Sequence, residues 1–359
     1  MPVPERLAAV RQRIAEENLD ALVVSSGINR RYLSGFTGSA GVLIIRPTQL
    51  LFAVDSRYYE QVGQQSPGFA LERVGYDFVG NLARMLEGAY RVGFEAGVVT
   101  VAEFQEWREK TPGLEWAPTK GLVEGIRAVK EPGELASIRA AAALTDAAFA
   151  FVCGFICPGM TEKAVGWELE KFFRENGAKN WSDGPIVASG PNSALPHARP
   201  SERIIGRGEP IVIDLGCLVD GYHSDMTRTI ILGEADAKFE EVYSLVLHAE
   251  ENALDKVHAG MSGKVADALA RDIIEAAGYG ENFGHSLGHG VGLAIHELPT
   301  ARKIAEEPLG VDMTLTIEPG VYIPGWGGVR VEDLVVIEAN GVQRLSHAPK
   351  ALADMVIPV

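Results

Sequence analysis

The chain reads as two joined domains, an α/β unit followed by an α+β unit. Three observations predict this. At 359 residues the chain exceeds one average domain. Helix-type and strand-type apolar patterns alternate as far as about residue 118, which is the texture of an α/β unit of modest size. Beyond residue 185 strands dominate and two long helical patterns interrupt them, the segregated texture of α+β.

The elements follow in order. Leu7, Val10 and Ile14 recur at helical spacing over residues 4–18, and ALVVSS (21–26) is a short β-rich run. GVLIIRP and QLLFAVD (41–55) read as two strands meeting at Pro47–Thr48. A helix at 56–64, a strand at 71–74, a helix at 78–88, a strand at 91–95 and a helix at 101–110 complete the first half. The joint lies near 125–130, giving domains 1–126 and 127–359. There Pro132 and Gly133 open a long Ala-rich helix, with Glu131 and Glu134 at its positive end. A second helix, 161–177, closes on Gly177. Strands are expected at 186–189, 210–216, 221–232, 314–323 and 328–337, and helices at 236–258 and 262–277.

Composition narrows the function. Hydrophobic content of 47% with 23% charged residues is ordinary for a globular protein with a large core. A net charge of −15 argues against nucleic acid or an anionic membrane surface as the main partner, since both need clustered Lys and Arg. No uninterrupted apolar run reaches the ~18 residues that cross a bilayer. MPVPERLAAVRQRIAEENLD is a charged amphipathic start without a secretory h-region. Cys153 and Cys157, four apart in an apolar helical stretch, read as inert thiols, and Cys217 is the only other cysteine. A cytoplasmic protein is expected.

The chemistry gathers around GHSLGHGVGLAIHE (284–297), which holds His285, His289 and His296. One histidine on an apolar face is usually a satisfied core residue, but three in a glycine-rich stretch call for acidic partners. Strand parity supplies them. Asp214 shares a face with Val212, Asp225 with His223 and Thr227, Glu318 with Thr316, and Glu332 with Arg330. Each predicted strand thus carries one carboxylate among apolar residues. An uncompensated buried carboxylate costs several kcal/mol, so it must be paired or metal-bound. An ion pair or a strand-end turn would explain any single one. For all four, the strands offer only Arg228 and Arg330. Charge balance favours two divalent cations, and one imidazole would complete a mostly oxygen-ligated site. Such a donor set suits Mn²⁺, Co²⁺ or Zn²⁺ and lacks the thiolates of a structural zinc site. A metal pair activates water near neutral pH, which makes hydrolysis the natural chemistry.

These residues fall in recognisable motifs: DLG at 214–216, SDMTRT at 224–229, HSLGHGVGLAIHE at 285–297, TIEPG at 316–320 and GVRVED at 328–333. In this order they resemble the pita-bread metallopeptidases, among them prolidase (Xaa-Pro dipeptidase), aminopeptidase P and methionine aminopeptidase. FTGSAG (36–41) and DSRYYEQ (55–61) look like a creatinase-type N-terminal domain. The resemblance implies that Asp214 chelates one metal, that Asp225 and Glu332 bridge two, and that His289 and Glu318 hold the other. It implies that His296 and His197 (in SALPHARP) stabilise the oxyanion and that Glu318 shuttles the proton. His285 would line the pocket near the prolyl ring, and Arg330 would orient a bridging carboxylate at the substrate site. The glycines at 288, 290 and 292 would let backbone approach metals and substrate. His223 reads as an ordinary strand-end residue; His248, His258 and His347 read as surface residues.

For substrate, the resemblance implies proline-containing dipeptides or short peptides, with Mn²⁺ the leading metal and a homodimer the assembly. Methionine aminopeptidase lacks so large an N-terminal domain, and creatinase lacks the metal ligands. Some prolidases carry an Arg shortly after the His-Glu pair; here HELPTARK places Thr300 there and Arg302 two residues on. The alternative is an Xaa-Pro aminopeptidase acting on longer peptides. A non-catalytic peptide-binding module of the same fold, more remote, predicts no bound metal and no hydrolysis.

Overall fold

A computed structural model describes residues 3–180 and 184–359. The chain divides into two compact units, one ending at Arg127 and the other beginning at Ala128. In the first, α1 (Val3–Glu16) leads to β1 (Ala21–Val24), α2 (Gly27–Ser34), β2 (Val42–Ile45) and β3 (Leu50–Val54). Then come α3 (Tyr59–Gln65), β4 (Ala70–Arg73), α4 (Phe78–Met85), β5 (Arg91–Glu95), α5 (Val101–Lys110), β6 (Glu115–Thr119) and the single turn α6 (Glu124–Arg127).

The six strands form one mixed sheet in the order β4-β3-β2-β1-β5-β6. Its core includes Val23, Ile44, Leu51, Phe94 and Trp107. The sequence reading omitted α2, α6 and β6. Helix α2 has no clear apolar period, but its ends are marked. The Ser26 side chain accepts from the Asn29 N–H, and Gly35 closes the helix at φ +74°. The Glu95 carboxylate accepts from the backbone N–H groups of Ser25 and Ser26, at 2.6 and 2.7 Å, placing negative charge at the positive end of α2.

The second unit opens with α7 (Pro132–Phe155), whose first turn is closed by a capping box between Glu131 and Glu134. At mean hydropathy 1.5, α7 is long and apolar enough to cross a membrane. Leu135, Ile138, Ala142, Phe149 and Val152 on it are buried within this unit. Next come α8 (Glu162–Glu175), β7 (Lys179–Asn180), β8 (Ile186–Ser189), β9 (Pro210–Leu215), β10 (Cys217–Val219), β11 (Tyr222–His223) and β12 (Met226–Leu232). Helices α9 (Ala237–Lys256) and α10 (Gly263–Ala276) separate these from β13 (Gly288–Gly290), β14 (Glu297–Ala301), β15 (Thr314–Ile317) and β16 (Gly320–Ile323). The chain ends with β17 (Gly327–Arg330), β18 (Asp333–Glu338), β19 (Gly341–Arg344), α11 (Leu352–Met355) and β20 (Val356–Ile357).

One core joins the helices to one face of these strands. Val152 of α7, Leu169 of α8, Val246 of α9 and Ile274 of α10 meet Ile211, Ile213, Ile230, Leu315 and Val335. In β9 the odd-numbered side chains enter this core, so Asp214 has the opposite parity. β12 pairs antiparallel with β9, placing Thr227 opposite Asp214. β15 pairs with β18, and β16 with β17.

Three continuous strands expected from the sequence are corrected here. The runs 221–232, 314–323 and 328–337 are each interrupted. Asp225 precedes β12, Glu318 lies between β15 and β16, and Glu332 lies between β17 and β18. Only Asp214 sits inside a strand. Interruptions suit ligands, because a break in the ladder lets a carboxylate leave the pleat and converge on its neighbours.

Candidate metal centre

Asp214, Asp225 and Glu332 each offer a carboxylate oxygen, and the three oxygens lie within 4.8 Å of one another. His289 and Glu318 close the group. His289 Nε2 is 3.6 Å from Asp225 Oδ2 and 3.3 Å from Glu318 Oε1. Its Nδ1 lies 3.1 Å from the Gly290 carbonyl, which can only accept, so Nδ1 carries the proton and Nε2 keeps its lone pair. A lone pair facing carboxylate oxygens needs a proton or a cation between them. Asp214 Oδ1 is buried without a hydrogen-bond partner. These donors, four oxygens and an imidazole nitrogen with no thiolate, fit divalent ions.

The electrostatics agree. Burial, then the neighbouring acids Glu332, Asp214 and Glu318, push Asp225 well above the usual carboxylate range. Burial, then Glu318 and Asp214, do the same to Glu332. Burial raises Asp214 despite Arg330, and lifts Glu318 to about 7. A bound cation would reverse this logic by favouring every charged form.

Arg330 organises one side of the centre. Its Nη2 donates to Asp214 Oδ2 at 2.7 Å, and its Nε donates to Thr227 Oγ1 at 2.9 Å. The Thr227 hydroxyl in turn donates to Glu332 Oε2 at 2.6 Å. Arg330 therefore holds Asp214 directly and reaches Glu332 only through Thr227. Its Nη1 donates to the Pro196 carbonyl and to the Tyr322 hydroxyl. Expected at the substrate site, Arg330 spends these hydrogen bonds on protein acceptors. Arg228, the other strand arginine, pairs with Asp333 and not with the centre's carboxylates, and its Nη1 donates to the Thr227 and Glu332 carbonyls, holding their backbone.

On the far side, Thr316 links His289 and Glu318. Its hydroxyl oxygen accepts from the His289 N–H and its proton goes to Glu318 Oε1. The glycine spacing has a packing cause. A Cβ on Gly288 would lie 1.8 Å from the Thr316 carbonyl oxygen, and one on Gly290 would lie 2.2 Å from that of Leu298. These glycines let β13 approach β15 and β14.

A cavity of about 350 Å³ opens onto the centre, and His197, His285, His289 and His296 all line it. His285 Nδ1 is 2.8 Å from the Ser286 carbonyl and therefore donates, so Nε2 accepts from Tyr322. Burial holds His285 down to about 4, keeping it neutral. The His289 and His296 rings meet edge to face at 4.3 Å, and burial lowers both. His248, His258 and His347 are exposed.

Three participants were missed. His223, read as a strand-end residue, is the last residue of β11 yet lines the cavity beside Asp225, with its Nδ1 held by the Gly292 carbonyl. Its shared parity with Asp225 was the available signal. Thr227 carried the same signal. Tyr322 carried none, because its place depends on β16 folding back on β17 with Tyr322 opposite Gly328. Thr300 does not line the cavity; it pairs with His289 in the β13–β14 ladder.

Comparison with known proteins agrees with this geometry. The pattern of metallopeptidase family M24 matches residues 136–339, and that of the creatinase/prolidase N-terminal domain matches residues 6–129. An Xaa-Pro dipeptidase of Pyrococcus furiosus is 35% identical over 97% of this chain and 99% of its own length. The structure of an Xaa-Pro dipeptidase from Bacillus anthracis superposes with TM-score 0.95 at 38% identity, covering 99% of this chain and 100% of that one. An X-Pro aminopeptidase from Thermotoga maritima superposes with TM-score 0.89 at 35% identity, covering 98% and 99%. With its carboxylates and imidazole gathered in one cavity, the chain belongs to metallopeptidase family M24 and carries a creatinase/prolidase N-terminal domain.

Proposed function

We propose that this protein hydrolyses the Xaa-Pro bond of dipeptides and short peptides, using two divalent ions held by Asp214, Asp225, His289, Glu318 and Glu332. The observation that carries the metal reading is the convergence of Asp214, Asp225 and Glu332 oxygens within 4.8 Å, with Asp214 Oδ1 unpartnered and His289 Nε2 beside Asp225 and Glu318. When bound, the ions supply Lewis acidity and activated water. Manganese is the metal we propose first, and the oxygen-rich donor set equally accepts Co²⁺ or Zn²⁺.

The side chains divide the remaining work. Glu318 takes the proton of the attacking water and returns it to the leaving nitrogen. His296 and His197, on the cavity wall, donate to the carbonyl oxygen as it gathers charge. His285 has both nitrogens engaged within the protein and offers ring surface, which suits a prolyl ring lacking an N–H. Arg330 acts as a positioning residue for Asp214 and, through Thr227, for Glu332. The free thiols and the acidic balance support a cytoplasmic location, and a homodimer is the assembly proposed.

Metal analysis of the purified protein, followed by hydrolysis of Ala-Pro and Ala-Pro-Ala, tests the reading. Metal-dependent cleavage of Ala-Pro is expected, and lack of metal or of turnover on both peptides would overturn it. The Xaa-Pro aminopeptidase reading draws on Thr300, which brings no cation to the cavity for a free prolyl carboxylate. Equal turnover of the two peptides would favour it.

A further inference from the structure

A peptide with a free amino terminus brings an ammonium group to the side of the scissile bond away from the proline. Filling the cavity strips water from its N–H donors, which then need acceptors from the protein. The carboxylates on the cavity wall are committed to cations in the reading above, and Arg330 can only donate. His285 has both nitrogens engaged within the protein, and Ser286 follows it on the side assigned to the prolyl ring. His197 and His296 are assigned as donors to the carbonyl oxygen.

His223 remains, and it is built as an acceptor. Its backbone N–H and its ring Nδ1 both meet the Gly292 carbonyl, at 2.8 and 3.0 Å. A carbonyl only accepts, so Nδ1 carries the proton. At about pH 8 an imidazole is neutral, and Nε2 keeps its lone pair. Two bonds to one oxygen fix the ring against the turn that leads to His296. Glu297, the acid at the end of that turn, is already held by Lys130 and the Ala294 N–H. Among the described residues no group donates to His223 Nε2, and none seals it from the cavity that His223 lines. A lone pair fixed in direction thus opens two residues before Asp225, beside the metal centre.

We propose that His223 Nε2 accepts a hydrogen bond from the α-ammonium of the residue before proline, and so selects substrates with a free amino terminus. This rests on the Xaa-Pro reading above and adds a specificity-determining residue on its amino side. The donor is charged, which places this hydrogen bond among the stronger ones.

The test compares kcat and KM for Ala-Pro and for propionyl-proline, which carries a hydrogen in place of the amino group. It uses metal-loaded wild type, His223→Asn and His223→Gln. The asparagine amide reaches the position of Nδ1 and keeps a donor for Gly292 while Nε2 is lost. The glutamine amide reaches towards the position of Nε2. Wild type should prefer Ala-Pro by roughly ten- to a hundredfold in kcat/KM, the range of a hydrogen bond to a charged group. His223→Asn should lose most of that preference through a raised KM for Ala-Pro, with bound metal retained and kcat little changed. His223→Gln should restore part of it. An unchanged KM for Ala-Pro in His223→Asn, equal losses on both substrates, or a fall in bound metal would overturn the assignment. Wild type that treats the two substrates alike would overturn it too while leaving the Xaa-Pro reading intact. Failure of metal-loaded wild type to cleave either substrate would remove both.

Discussion

Asp225 is buried beside three other carboxylates, and each raises the cost of its charge. In chelator, Asp225→Asn should therefore stabilise the protein and raise its melting temperature. With Mn²⁺ added the order should invert, because the variant has lost a ligand. Melting curves of both proteins in both conditions check this, and a variant less stable in chelator would contradict it. Thr227→Val tests the relay beneath the centre. The swap keeps the shape but leaves Arg330 Nε and Glu332 Oε2 without the partner they share. Unfolding in denaturant should show a loss of about 1–3 kcal/mol, and metal affinity should fall roughly ten- to a hundredfold. The ligand set could be proposed from the sequence because each acid lies in a motif of its own. His223 and Thr227 announced themselves only by parity with Asp225. Tyr322 depends on a strand pairing that no local pattern encodes.

Elements with strong period and clear ends were legible. The strands 91–95 and 186–189 and the helix 101–110 begin and end where the pattern says. The breaks at Asp225, Glu318 and Glu332 were not, since apolar runs continue through them and only pairing with other strands decides where a ladder stops. β13 and β14 were hidden for the converse reason: β13 lies in a glycine-rich run of low β-propensity, β14 contains Pro299, and each becomes a strand only by pairing with the other. This segment is fastened from outside. Lys130 Nζ meets Glu297 Oε1 at 2.8 Å, both side chains nearly fully buried, and Glu297 accepts from the Ala294 N–H. Lys130→Met should strand the Glu297 charge and cost about 3–5 kcal/mol. It should also loosen residues 292–297, with faster amide exchange there than in α9. Unchanged exchange in this segment would show that the pair does not fasten it.

The two units carry separate hydrophobic cores, one around Phe94 and Trp107, the other joining α7–α10 to the strands. Every proposed ligand belongs to the second. Calorimetry should resolve two transitions, of which only one rises when Mn²⁺ replaces chelator, by mass action on the folded form; two equally responsive transitions would refute this. Proton linkage follows from the raised carboxyls. Glu318 near 7, and Asp225 and Glu332 above their usual range, hold protons in the metal-free protein that a cation must expel. Metal affinity should weaken as pH falls below 7, and more protons should be released per ion at pH 6.5 than at 8. Titration calorimetry in buffers of different ionisation enthalpy measures both. Arg330 ties the Pro196 carbonyl and the Asp214 carboxylate to one rigid plane. A peptide that settles the loop bearing His197 thereby steadies Asp214, a proposed metal ligand, and reciprocity requires the ion to tighten the peptide by the same factor. Occupancy by substrate and occupancy by cation are then two equilibria that each pull on the other.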